Sequence, residues 1–254
     1  MVTAVFPAAG QGRRMNSGIN KLFLKLADKP ILIHTLLAFS HCDDIDDLIV
    51  AVNSADIGMV EKLLKTVPGL KPYKVIAGGA ERQYSIANAL SKLNDDTDIV
   101  LVHDAARPLI SKESISRVVA SAREHGSGVM AVREKNTIKV ADENLIVKAT
   151  PDRNNLWSIQ TPQGFKRDLL LQAYAKAMKD DFLGTDDSSL VERLDGVEVH
   201  LVEGDFSNIK ITTPEDMVVA EAFLREGVLA NVVGKAADVV AGAAEFLKKG
   251  LMKK

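Results

Sequence analysis

Short, unbroken apolar runs recur along this chain, and each is followed by a stretch with helical spacing. "LIVAVN" at 48–53, "DIVLV" at 98–102 and "GVMAV" at 128–132 carry almost no alternation. Such runs suit strands buried on both faces, and strands of that kind belong to parallel sheets covered by helices. "TAVFPAAG" gives a first strand running into glycine, and "YKVIAGG" another. Between the strands, Pro30–His41 places Leu32, Thr35, Leu36 and Phe39 on one face. Asp56–Thr66, Glu81–Leu93 and a segment capped by Ser111 and ended near Gly126 read as further helices. The expected fold is α/β with three layers, α/β/α, around a mostly parallel sheet.

The rhythm breaks once. "TIKVADENLIVKA" at 137–149 alternates apolar and polar residues around the turn "ADEN", so a projecting β-hairpin arm is expected over 136–154. After it, "LWSIQTPQGF", a helix at 167–179, "VEVHLVEG", the strand "NIKIT" and a helix from Pro214 resume the α/β pattern. From Gly227 the chain is rich in Ala and Val and ends in lysines. Val232, Val233, Ala236, Val239, Val240, Ala243, Phe246 and Leu247 recur at helical spacing, so 227–254 reads as an amphipathic extension. It would pack on the domain or in a subunit contact. A membrane-surface helix is the alternative, weakened by two interior glycines and small alanines.

Charge excludes some functions. With 32 Lys and Arg against 34 Asp and Glu, the formal net charge is −2. Nucleic-acid binders usually carry a basic excess. The single cysteine, Cys42, cannot form an internal disulfide, and no secretory leader or apolar span is evident, so a cytoplasmic protein is expected.

The loop "AAGQGRRM" after the first strand poses the chemical question. Gly10 and Gly12 fit the start of a dinucleotide fingerprint, but Met15 occupies the third glycine position and Asp28 precedes a helix instead of ending a strand. A Gly-Lys-Ser/Thr phosphate loop is absent as well. Glycines that let backbone approach a ligand, followed by Arg13, Arg14 and Lys21, suit a phosphate-rich substrate. Surface arginines beside a turn could equally be solvated. In "VLVHDAARP", Asp104 ends a buried strand, where open α/β sheets bind ligands, and its carboxylate could hold Mg²⁺. His103 reads as a packing residue and Arg107 as a brace for the loop.

Taken together and in order, "PAAGQGRRM" with Lys21, "GGAERQYS", "VHDAARP", "DRNNLWSIQTPQGF", and "NIKIT" with "PED" resemble the 2-C-methyl-D-erythritol 4-phosphate cytidylyltransferases of the non-mevalonate isoprenoid pathway. The resemblance covers about residues 2–226. It implies a Rossmann-like, GT-A-like nucleotidyltransferase fold and transfer of CMP from CTP to 2-C-methyl-D-erythritol 4-phosphate with release of pyrophosphate. It places Ala8, Ala9, Gly10, Gly12, Arg13, Gly79, Ser85, Asp104 and Ala105 against CTP, with Mg²⁺ on Asp104. It makes Arg14, Lys21 and Lys210 the catalytic cations. Thr137, Arg153, Thr185, Asp186 and Lys210 would meet the acceptor, Thr137 and Arg153 from the arm of a partner in a homodimer. The matching family position before Lys21 is usually proline; here it is Asn20. A local cap remains an alternative for Ser85 and for Thr185 with Asp186, an ion pair with Asp152 for Arg153, and an edge charge for Lys210. A ribitol 5-phosphate cytidylyltransferase is the nearest rival activity. A nonenzymatic nucleotide sensor would be expected to lack the catalytic cations.

Overall fold

The apolar runs become strands of one seven-stranded sheet, in a computed structural model that describes residues 1–10 and 20–225. Gly12, Arg13, Arg14 and the expected extension at 227–254 lie outside the described residues. In chain order come β1 (Val2–Pro7), the short pair β2 (Lys25–Leu26) and β3 (Lys29–Pro30), α1 (Ile31–Ser40), β4 (Asp47–Val52), α2 (Ile57–Lys65), β5 (Tyr73–Ala77) and α3 (Arg82–Leu90). Then follow β6 (Ile99–Val102), α4 (Lys112–His125), β7 (Ser127–Arg133), β8 (Val140–Ala141), β9 (Val147–Ala149), β10 (Trp157–Lys166), α5 (Arg167–Lys179), α6 (Asp187–Val191) and β11 (Leu201–Glu203). The last helix among the described residues, α7, covers 214–225. The large sheet has the order β11-β7-β10-β6-β1-β4-β5. Only β10 runs against its neighbours β6 and β7; every other pairing in that sheet is parallel.

Strand alternation divides the interior into two cores. Ala4, Phe6, Leu48, Val50 and Leu101 face α1, α2 and α4. Val5, Ile49, Val100 and Val102 face α3, α5 and α6. Both faces of the same strands are therefore apolar, which explains the unbroken runs. α4 begins where Ser111 Oγ accepts the Ser114 N–H at 3.2 Å and ends at Gly126, whose φ of 84° is left-handed.

The hairpin is present as the β8–β9 pair, outside the large sheet. Its turn closes on Asp142, whose carboxylate accepts the N–H groups of Asn144 and Ile146, both at 3.0 Å. Ile138, Val140, Leu145, Ile146 and Val147 are exposed along it. One sequence expectation fails: "NIKIT" is not a strand but irregular chain. Side-chain bonds and one backbone bond, not a ladder, hold it in place.

Candidate active site

The chain leaves β1 toward β4 and β5 on one side, then returns to β6 on the other. Loops after β1 and β6 therefore diverge, and a crevice opens at their C-terminal ends. Ala8, Ala9 and Gly10 follow β1 there, Gly79 and Arg82 follow β5, and Asp104 and Ala105 follow β6; Lys21 and Lys210 complete the wall. A second, broader cavity adjoins the first beneath β10, with Gln160, Thr161, Thr185 and Ser188 in its wall. The two share Arg82, Asp104 and Lys210.

Asp104 is the hub. Its Oδ2 lies 2.8 Å from Lys210 Nζ and 3.7 Å from Arg107 Nε, and its Oδ1 lies 3.2 Å from Arg82 Nε. Burial would push this carboxyl's pKa up, but Arg82 and Lys210 overcome that and hold it well below the usual carboxylate range. In the first cavity Lys21, Arg82 and Lys210 stand beside the acids Asp104 and Glu81, and Asp104 is itself paired with Arg82 and Lys210. Such a pocket attracts a polyanion.

A buried histidine orients the backbone of this hub. His103 Nε2 lies 3.0 Å from the carbonyl of Arg107, which can only accept, so Nε2 carries the proton. Nδ1 then accepts from Thr161 Oγ1 at 3.1 Å, and that oxygen accepts the Asp104 N–H at 3.0 Å. Packed against Phe39 at 4.7 Å between ring centroids, His103 is fully buried, and burial lowers its pKa to about 4. It is neutral near pH 7 and structural, as its position suggested.

Lys210 is held on its irregular segment by neighbours on both sides. Asn208 Nδ2 donates to Gln160 Oε1 at 3.0 Å and to the Thr161 carbonyl at 2.9 Å, and its own carbonyl accepts from Arg107 Nη1 at 2.7 Å. The Ile211 N–H donates to the Ala106 carbonyl at 2.9 Å, and Lys21 Nζ donates to the Ile211 carbonyl at 2.7 Å. Arg107 is thus the brace expected of it.

A family model described as "IspD: 2-C-methyl-D-erythritol 4-phosphate cytidylyltransferase" matches residues 2–226. The chain belongs to this family. Members named for that activity include one from Caldanaerobacter subterraneus, 47% identical over 226 residues that make up 89% of this chain and 99% of that protein. Another, from Bacillus cereus, is 46% identical over 88% of this chain and 98% of its own length. The crystal structure of 4-diphosphocytidyl-2C-methyl-D-erythritol synthase from Anaerococcus prevotii superposes with a TM-score of 0.80 at 31% identity, covering 89% of this chain and 96% of that one. The cytidylyltransferase from Thermus thermophilus gives 0.72 at 33% identity, covering 88% and 98%.

Among the residues that the cytidylyltransferase motifs single out, Ala8, Ala9, Gly10, Lys21, Gly79, Ser85, Asp104, Ala105 and Lys210 share one cleft. Ser85 is engaged locally: its Oγ accepts the Gly79 N–H and donates to the Glu81 carbonyl, each at 3.0 Å. The hydroxyl therefore shapes the turn, and the Gly79 N–H is spent inside it. Asp186 is likewise committed. Its carboxylate caps α6 through the Ser189 N–H at 3.0 Å and also accepts from Gln163 Nε2 at 2.8 Å and Ser188 Oγ at 2.7 Å. Thr185 and Asp186 both border the second cavity. Thr137 and Arg153 border neither; both are exposed at the arm, and Arg153 Nη1 donates to the Lys135 carbonyl at 3.1 Å. Asp152 caps the Asn154 N–H at 3.0 Å. Sequence reading missed Arg82, Asp187, Thr161 and Asn208. Arg82 lay inside a quoted motif, but its partner Asp187 is 105 positions away.

Proposed function

We propose that this chain transfers the cytidylyl group of CTP to 2-C-methyl-D-erythritol 4-phosphate and releases pyrophosphate. The observation that carries the proposal is the placement of Asp104, Arg82 and Lys210 on the wall common to two adjoining cavities. CTP occupies the cleft beside Ala8–Gly10 and Gly79, and the acceptor phosphate enters from the cavity beneath β10. An acceptor phosphate oxygen attacks the α-phosphorus. A new P–O bond forms there as the bond to the bridging oxygen breaks, and pyrophosphate leaves with that electron pair. The attacking phosphate is already ionised near neutral pH, so the chain need supply only alignment and charge. Lys21, Lys210 and Arg14 stabilise charge on the transferred and leaving oxygens.

Mg²⁺ is usually bound by one or two carboxylates plus substrate phosphates, and Asp104, which lines the cleft, would hold it while sharing its oxygens with Arg82 and Lys210. Bound there, the cation would neutralise part of the triphosphate charge.

The arm supports a homodimer. Its exposed Ile138, Val140, Leu145, Ile146 and Val147 form an apolar surface that a second copy would cover. Thr137 and Arg153 at its base would then reach the acceptor in the partner's site. On this reading residues 1–226 form the catalytic unit and 227–254 an appendage, in a cytoplasmic enzyme.

The test is turnover by the purified full chain with CTP, Mg²⁺ and either polyol phosphate, followed by pyrophosphate release and product mass. Methylerythritol phosphate should be consumed. Turnover of ribitol 5-phosphate alone, or of neither, overturns the proposal.

A further inference from the structure

Asp187 is a fully buried carboxylate that the reaction above does not use. It borders neither of the two cavities that share Asp104. Such a charge persists only when paired. Its Oδ2 lies 2.8 Å from Arg82 Nη2, and its Oδ1 accepts the Tyr174 hydroxyl proton at 2.6 Å. The other arm of the same guanidinium reaches Asp104. Burial alone would lower the Arg82 pKa, and the two carboxylates more than offset it and raise it. Arg82 therefore stays charged at the junction of both cavities.

We infer that Asp187, backed by Tyr174, is a positioning residue that fixes Arg82 and, through it, the carboxylate of Asp104. The inference rests on the reading of Asp104 as the carboxylate that meets the triphosphate and its cation. A guanidinium is planar and forked, so one carboxylate alone leaves it free to turn about that contact. Two carboxylates from different elements fix its plane. Asp104 Oδ1 is then held toward Arg82, and Oδ2 remains on the side where Lys210 lies.

The surrounding chain makes this spacing rigid. Arg82 opens α3 and Asp187 opens α6. Gln83, next to Arg82, bonds to both the Phe182 carbonyl at 3.0 Å and the Gly184 N–H at 2.9 Å. Gln163 of β10 accepts the Ser188 N–H at 2.9 Å while donating to Asp186. A Cβ on Gly184 would stand 2.5 Å from Ser189 Oγ and 3.1 Å from the Asp186 carbonyl, so the turn into α6 is closely packed. The starts of two helices are thus pinned to each other and to the strand beside Asp104.

The experiment is a double-mutant cycle in the full chain with Asp187→Asn, Arg82→Lys and the pair. It measures kcat, KM for CTP, the Mg²⁺ concentration for half-maximal turnover, and calorimetric binding of Mg²⁺·CTP without acceptor. Asp187→Asn should lower kcat about tenfold and raise the Mg²⁺ requirement severalfold, the scale typical of residues that orient a ligand group. Arg82→Lys keeps the charge without the fork and should do at least as much. The double variant should be no worse than Arg82→Lys alone, because both act through one group. Tyr174→Phe removes a single hydrogen bond and should shift the same quantities less, which keeps the test open if Asp187→Asn does not fold. A lowered melting temperature in Asp187→Asn and Tyr174→Phe, with kcat and Mg²⁺ requirement as in the parent, overturns the inference; so do fully additive effects on kcat. A parent protein that binds Mg²⁺·CTP but turns over neither acceptor overturns the proposed reaction, and the clamp is then judged by the Mg²⁺ dependence of CTP binding across the variants. A parent that binds no CTP overturns both.

Discussion

Lys210 Nζ and Asp104 Oδ2 are 2.8 Å apart, and the pair joins the end of a strand to a segment of irregular chain 106 positions away. Asp104 leaves the end of a buried strand, whereas Lys210 rides on irregular chain clamped by Asn208. The pair holds a cation next to the carboxylate before any substrate arrives. Its removal should therefore be felt in turnover. Lys210→Ala is expected to lower kcat by about a hundredfold, the scale of losing one charge-stabilising donor. KM for CTP should change less than kcat. Steady-state kinetics with both substrates varied provide the measurement, and unaltered turnover would remove Lys210 from the mechanism.

Lys21 approaches the same place from the first loop, donating to the Ile211 carbonyl at 2.7 Å. Lys21→Ala should lower kcat much more than CTP affinity, because its charge is needed most when the leaving oxygens carry negative charge. Calorimetric CTP binding beside turnover separates the two. Loss of binding with normal kcat at saturation would assign Lys21 to ground-state recognition instead.

His103 sets a stability limit in mild acid. Its pKa falls from 6.5 to about 4 on folding, so between those values the unfolded chain binds a proton that the folded chain excludes. Stability should be complete above pH 6.5 and decline as the pH drops toward 4, by roughly 3 kcal/mol. Asp104, whose pKa is depressed, loses its contribution only at lower pH, as the pH falls below the ordinary carboxylate value. Urea unfolding midpoints at pH 7 and 4.5 should differ, and His103→Gln should flatten that slope. An equal slope in the variant would assign the acid sensitivity to other groups.

Gly78 packs tightly beside the nucleotide cleft, between the chain after β1 and the start of α3. A Cβ there would lie 2.6 Å from Ala9 Cβ and 2.8 Å from Ser85 Oγ. Gly78→Ala must push apart the loops after β1 and β5. It should lower the melting temperature and weaken CTP binding at least tenfold, with both read on the same preparation. Parent-like CTP affinity would show that the two loops tolerate separation.

The arm tip carries Leu145, 86% exposed and held at a φ of 62°, a backbone region that bulky residues rarely adopt. Charging the arm with Val140→Asp and Val147→Asp should leave the domain folded, because neither residue belongs to its two cores. Sedimentation should show a dimer become a monomer, with turnover lost while CTP binding survives. A monomeric parent at micromolar concentration would remove the shared-site reading.

Much of this molecule is legible from residue order because its strands are buried on both faces. Hydrophobic runs such as Leu48–Val52 mark strands, and Ser111 with Gly126 brackets a helix through local backbone chemistry. The turn at Asp142 is equally local. Asp104 was readable because a carboxylate ending a buried strand demands partners. Which partners it finds is a tertiary matter. Arg82 meets Asp187 across 105 positions, and Lys210 is placed by Asn208 and by a strand bulge at Gln160 and Thr161, not by the strand its own alternation suggested. Ser85 and Asp186 show what motifs leave open. Both border the cavities their motifs pointed to, and the fold adds local partners, the Gly79 N–H for Ser85 and the Ser189 N–H with Gln163 and Ser188 side chains for Asp186. Sequence alone determined the layers, the loops and the charge of the cleft. Only the fold decided which charges meet, because ion pairing depends on distances set by packing between elements remote in the chain.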